Sequence, residues 1–122
     1  MSIHFHKLLA QTSLKEQEGK EGILVFGTSR DKPYEAMLER LSQAFDQVIV
    51  TQANHPRSRE VSDLLLTARK YFSRVFPSRN VQEALSLAKI MGTFSNWTLV
   101  TGSFFLLGEV KTLMQKRKKS YA

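Results

Sequence analysis

Four short polar segments of this 122-residue chain hold residue types that do chemistry, and each follows an apolar run. Gly27-Thr28-Ser29-Arg30-Asp31-Lys32 sets a carboxylate beside an ammonium. Asn54-His55-Pro56-Arg57 carries a guanidinium, the group best shaped to grip a carboxylate by two parallel hydrogen bonds, on a loop that Pro56 stiffens. Pro77-Ser78-Arg79-Asn80 offers another arginine. Thr101-Gly102-Ser103 runs straight into a helical stretch, whose free backbone N–H groups and the Ser103 hydroxyl suit a carboxylate or phosphate.

Each segment also has a plainer structural reading. Asp31 would cap a helix that starts at Pro33, Arg57 would be a solvated arginine in a surface turn, and Ser103 would be a helix N-cap. Pattern alone favours the plainer reading for the first two. For Ser103 both hold together, since a cap can also seat an anion. His55 is a general-base candidate with no acidic orienter near it in sequence.

Other chemistries are excluded. A single glycine in residues 27–32 makes neither the dinucleotide fingerprint nor the phosphate loop of nucleotide-binding proteins. Gly19-Lys20-Glu21 lacks the hydroxyl that would hold magnesium, so the chain has no phosphate cradle of its own. Without cysteine there is no disulfide framework, thiolate metal site or cysteine nucleophile. His4 and His6 are two apart, on different faces of the helix expected there, and no carboxylate pairs with them to make a metal site. No residue is assigned a catalytic role.

The elements that must position these segments alternate along the chain. Ile23-Leu24-Val25-Phe26, Val48-Ile49-Val50-Thr51, Arg74-Val75-Phe76 and Thr98-Leu99-Val100-Thr101 are short, largely apolar runs that read as buried strands. Between them Met37, Leu38, Leu41, Ala44 and Phe45, then Val61, Leu64, Leu65, Ala68 and Phe72, then Val81, Ala84, Leu85, Ala88 and Met91 recur at helical spacing. A last helix is expected from about Phe104 to Lys118. Alternation of this kind predicts an α/β fold, a mostly parallel sheet with helices on both faces. In such folds the loops at the carboxyl ends of strands border the ligand crevice, and all four polar segments lie there. The front end looks odd, because Phe5, Leu8, Leu9 and Thr12 make Ile3 to Gln17 read as a helix where a strand would normally begin the fold. Phe5, Phe26, Phe45, Phe72, Phe76 and Trp97 read as core.

Eighteen Lys and Arg against eleven Asp and Glu give a net charge of +7, with Lys111, Lys116, Arg117, Lys118 and Lys119 near the end. A basic tail can attract nucleic acid, but cations also suit the negative end of a last helix. Only Tyr121 interleaves the basic residues with an aromatic ring, so nucleic acid is the weaker reading. No apolar run approaches a membrane span and the first residues lack signal-peptide order, so a cytoplasmic protein without a membrane partner is expected.

Taken in order, these segments resemble a known family. Val25-Phe26-Gly27 leads through Asp31-Lys32 to Met37-Leu38, followed by Val48-Ile49-Val50-Thr51, Pro56-Arg57 and Glu83-Ala84-Leu85. Val100-Thr101-Gly102-Ser103-Phe104-Phe105-Leu106-Leu107-Gly108-Glu109-Val110 completes the set. The arrangement is similar to the carboxy-terminal domain of folylpolyglutamate synthase/dihydrofolate synthase, a branch of the Mur ligase superfamily. The likeness covers about Ile23 to Lys111.

It implies a Rossmann-like domain spanning residues 1–122, with a leading helix and turn in 1–22, the matching core in 23–111 and a basic tail in 112–122. The family's enzymes use ATP and magnesium to activate a folate-type carboxyl, which the amino group of glutamate then attacks. Their phosphate loop and magnesium ligands belong to an amino-terminal domain, the partner this chain would lack and without which it would be inactive. By position, Arg57 matches the family's carboxylate-gripping arginine, and Ser103 with Gly102 matches its Gly-Ser glutamate seat. Asp31 and Lys32 match the Asp-Lys pair of the nucleotide cleft, and Asn54 and His55 are placed beside them. Phe105 stands where the family has tyrosine, and the hallmark Asp-Gly-Ala-His-Asn-Pro is absent. Met1 falls about where that motif would end, so the first strand of the domain is expected to be missing.

Overall fold

A computed structural model of the chain describes residues 2–6, 22–92 and 97–120. The strands are β1 (Ser2–His6), β2 (Ile23–Phe26), β3 (Gln47–Val50), β4 (Arg74–Pro77) and β5 (Trp97–Thr101). Four helices lie among the described residues: α1 (Tyr34–Leu41), α2 (Val61–Tyr71), α3 (Val81–Met91) and α4 (Phe104–Ser120).

The central strands are apolar without interruption because the sheet is covered on both sides. Leu24, Phe26, Val48, Val50 and Leu99 pack with Leu38, Leu41, Phe45, Leu64, Ala68 and Phe72, so α1 and α2 cover one face. The alternate positions Ile23, Val25, Ile49 and Val100 pack with Val81, Ala84, Leu85, Ala88, Leu106 and Val110 of α3 and α4 on the other. Each large apolar side chain buried this way contributes about 1.5–3 kcal/mol.

All strand pairs are parallel, in the order β1-β5-β2-β3-β4. The chain steps outward from β2 through β3 to β4, then crosses back to lay β5 on the other side of β2. Adjacent strands β2 and β5 therefore feed helices on opposite faces, which makes their carboxyl ends the topological switch point. Register keeps the strand ends level, with Phe26 opposite both Val50 and Thr101. At the outer edge β4 ends at Pro77, whose missing N–H an edge strand tolerates.

The front end corrects the sequence reading. Residues 3–6 are strand and not helix, pairing along β5 from Ser2 opposite Trp97 to His6 opposite Thr101. Ile3 and Phe5 alternate with polar neighbours at strand period, while Phe5 also begins a helical stripe with Leu8 and Leu9. Local pattern satisfied both periods, and the edge of β5, which offers a full ladder of hydrogen bonds, decided between them. His4 and His6 sit in this strand. The rest of the predicted leading helix lies outside the described residues. The expectation of a missing first strand falls too, because a strand precedes β2 and extends the sheet beyond β5. At the other end α4 continues to Ser120, carrying the basic residues 116–119 in its last turns.

Candidate functional site

At the switch point the backbones of neighbouring strand ends touch. Gly102 has φ of 132°, in the region that favours glycine, and a Cβ there would stand 1.9 Å from the Gly27 carbonyl oxygen. A Cβ on Gly27 would stand 2.8 Å from the Thr51 oxygen. The buried Thr28 hydroxyl donates to the Gly102 carbonyl at 3.2 Å, tying the two diverging loops together.

The loops after β2 and β3 are joined as well. The Arg30 N–H donates to the Arg57 carbonyl and the Arg59 N–H to the Thr28 carbonyl, both at 2.8 Å, around an antiparallel bridge of Ser29 with Ser58. Arg59 is committed to this join. Its guanidinium bonds the Asp63 carboxylate at 3.4 Å and the Arg30 carbonyl, and lies 4.8 Å over the Tyr34 ring.

Between the diverging loops lies a cleft of about 480 Å³. Asp31, Lys32, Arg57, Gly102 and Ser103, drawn from three loops, all line it. Asn54 and His55 do not. They line a neighbouring cavity of about 610 Å³ together with Gln52, Arg79, Asn80 and Glu109. The expected grouping of Asp31, Lys32, Asn54 and His55 in one cleft is therefore corrected, because the loop turns at Pro56. The His55 ring stacks on Phe105, with centroids 3.6 Å apart and planes 13° apart, so the pair stands between the two spaces.

Ser103 caps α4. Its Oγ accepts the Leu106 N–H at 3.2 Å and its carbonyl the Leu107 N–H at 3.1 Å, while its O–H remains a donor at the cleft. Asp31 does not cap α1, whose N-cap is Pro33 and has no side-chain cap bond. Its exposed carboxylate instead accepts from the Ser29 hydroxyl. That bond first, then its own backbone N–H and the Arg57 and Lys32 charges, hold it below the ordinary value of 3.8. A depressed carboxyl contributes above its ordinary value and loses that contribution as pH falls through the lowered one. The midpoint of the Asp31 resonance in a carboxyl-detected NMR titration is thus expected below 3.8, and lower than in an Arg57→Ala variant. A midpoint at or above the ordinary value would contradict this geometry.

Arg57 is held by its backbone. Its N–H donates to His55 Nδ1 at 3.1 Å and its carbonyl accepts from Arg30. Ion pairs among the described residues are Arg59–Asp63, Lys70–Glu35 and Arg79–Glu83, which leaves the exposed Arg57 head open to a ligand carboxylate. Because His55 Nδ1 is an acceptor, the neutral ring carries its proton on Nε2, on the far side from the Arg57 backbone.

Sequence reasoning missed the apolar part of the cleft wall, formed by Pro33, Met37, Phe104 and Phe105, and the Glu109 carboxylate in the adjoining cavity. Phe104 remains 63% exposed at the start of α4, which a core reading of aromatic residues does not foresee. The signal present in the sequence was two phenylalanines directly after a Gly-Ser helix start.

The family profile described as Mur ligase, glutamate ligase domain matches residues 7–104. The chain belongs to this family. The glutamate ligase domain is 30% identical, over an alignment of 120 residues, to the dihydrofolate synthase/folylpolyglutamate synthase of Mycobacterium tuberculosis, covering 86% of this chain and 25% of that protein. Among solved structures it is similar to the M. tuberculosis folylpolyglutamate synthase complexed with ADP and AMPPCP. The TM-score is 0.77 at 28% identity, over 84% of this chain and 25% of that one. The Thermotoga maritima folylpolyglutamate synthase gives a TM-score of 0.67 at 32% identity, over 80% and 22%. The glutamate ligase domain thus spans about a quarter of the length of the relatives it matches.

Proposed function

We propose that this glutamate ligase domain is the amino-acid-placing part of an ATP-dependent ligase of the folylpolyglutamate/dihydrofolate synthase type. The open Arg57 guanidinium facing the N-terminus of α4 across a switch-point cleft carries this reading. Arg57 takes one carboxylate of glutamate in a bidentate grip. The N-terminal end of α4, where the Ser103 hydroxyl stands at the cleft and the helix dipole is positive, receives the other. Such placement holds the amine of glutamate close to an activated carboxyl on the folate-type substrate, and proximity of that kind accounts for much of the rate gain in a ligation.

ATP supplies the phosphate that activates the substrate carboxyl. Lys32, which lines the same cleft beside Asp31, is assigned to the nucleotide, because its ammonium suits a phosphate oxygen. Among the described residues no group of three acidic or histidine side chains could hold a metal ion by itself. The phosphate loop and metal ligands are assigned to an amino-terminal partner domain, in cis or in trans. No described helix is long and apolar enough to cross a membrane. We place the working enzyme in the cytoplasm, without a membrane or nucleic-acid partner.

The chain by itself, supplied with ATP, magnesium, glutamate and dihydropteroate, is expected to release no ADP and form no amide, yet to show glutamate-dependent shifts at the Arg57 and Ser103 amides in NMR spectra. Turnover by the isolated chain would sink the division of labour. Spectra unmoved by glutamate would favour a domain that has lost its ligand.

A further inference from the structure

We propose that Glu109 and His55 are positioning residues that clamp the loop after β3 onto α4 and so fix where the Arg57 guanidinium stands in the cleft. The inference rests on the reading that Arg57 takes a substrate carboxylate.

A bidentate grip works only if the guanidinium plane is held in a fixed orientation, and Arg57 comes from a segment without regular secondary structure between β3 and α2. The ends of that segment are secured. Thr51 continues the ladder by donating to the Phe26 carbonyl at 2.9 Å, and Ser58 forms the bridge with Ser29. Between them α4 holds Asn54 and His55, while the Arg57 carbonyl accepts from the Arg30 N–H. The Asn54 N–H donates to Glu109 Oε1 at 2.7 Å, a short bond to a charged acceptor. The His55 ring stacks on Phe105, and its Nδ1 accepts the Arg57 N–H. Phe105 and Glu109 are four apart, so they share one face of α4, one turn from each other. They grip two consecutive loop residues.

The same helix therefore does two things. Its cap Ser103 forms the anion seat, and Phe105 and Glu109 in its first two turns set the position of the arginine opposite. The spacing between the two carboxylate-binding groups is fixed by one rigid element instead of by a free loop. Glu109 touches no part of the cleft itself, since it lines the neighbouring cavity beyond the His55–Phe105 stack.

The test compares Glu109→Ala, Glu109→Gln, His55→Phe and Arg57→Ala in the full chain, reading amide exchange of residues 54–57 and glutamate affinity by NMR titration. Glu109→Ala is expected to speed exchange at Asn54 and Arg57 about tenfold and to weaken glutamate about tenfold. Glu109→Gln, which keeps an acceptor oxygen, restores most of both. His55→Phe keeps the stack but loses the acceptor, so exchange rises at Arg57 while Asn54 stays protected. Arg57→Ala weakens glutamate and leaves exchange at Asn54 unchanged.

Unchanged exchange in Glu109→Ala overturns the clamp. Faster exchange with unchanged glutamate affinity, where Arg57→Ala does weaken glutamate, overturns the positioning role alone. Glutamate affinity that falls in Glu109→Ala but not in Arg57→Ala overturns both the proposal and the assignment of Arg57, and points to Glu109 as a ligand of the second cavity.

Discussion

Replacing Gly102 with alanine is expected to destabilise the fold by about 3–5 kcal/mol, the sum of a backbone conformation that resists a side chain and an overlap that no rotamer relieves. The φ of 132° lies where a Cβ is strongly disfavoured, and the added carbon would stand 1.9 Å from the Gly27 carbonyl oxygen. Relief would require β2 and β5 to separate where their loops begin to part. That movement would also break the Thr28 bond to Gly102 and open the cleft floor. Urea denaturation measures the loss directly. Gly108→Ala is the control, because its Cβ would meet nothing within 4 Å and sits inside α4, so a gain of about 0.5–1 kcal/mol is expected from helix propensity. Equal midpoints for wild type and Gly102→Ala would falsify the close approach of the two strand ends.

Arg57→Ala is expected to weaken glutamate binding about thirty- to hundredfold, the usual cost of removing a charged, two-pronged hydrogen-bond donor. The denaturation midpoint should not move, because the side chain is exposed and the loop is secured through the Arg57 backbone, which alanine keeps. Arg57→Lys should recover only a minor part, since an ammonium lacks the planar fork. Titration calorimetry with glutamate reads all three proteins. A lysine variant that binds as well as wild type would argue for simple charge attraction in place of a bidentate grip.

Much of the fold was legible because apolar runs and helical stripes report burial directly. Leu24 and Phe26 on one face, with Ile23 and Val25 on the other, need cover on both sides, which a chain alternating strand and helix supplies. The front strand was not legible. Ile3 and Phe5 fit two periods, and their partner lies more than ninety residues away at Trp97 to Thr101. Part of the site was legible by the same logic, since Asp31, Lys32, Arg57, Gly102 and Ser103 all follow strands in sequence. The plain reading of Asp31 as a helix cap failed for a local reason. Pro33 took the cap position, and the Ser29 hydroxyl took the carboxylate.

Sequence by itself determined the α/β class, four of the five strands of the sheet, the loops that hold polar chemistry and the resemblance that identifies the family. Those properties are written in short windows, where period, glycine and proline act within a few residues. Tertiary structure decided which loops meet. It placed β5 beside β2 so that Gly102 lies on Gly27, set Arg57 across from Ser103, and separated Asn54 and His55 from Asp31 and Lys32 by a ring stack with Phe105. Those relations depend on strand order and on contacts between residues about fifty to one hundred positions apart, which packing sets and local pattern does not record.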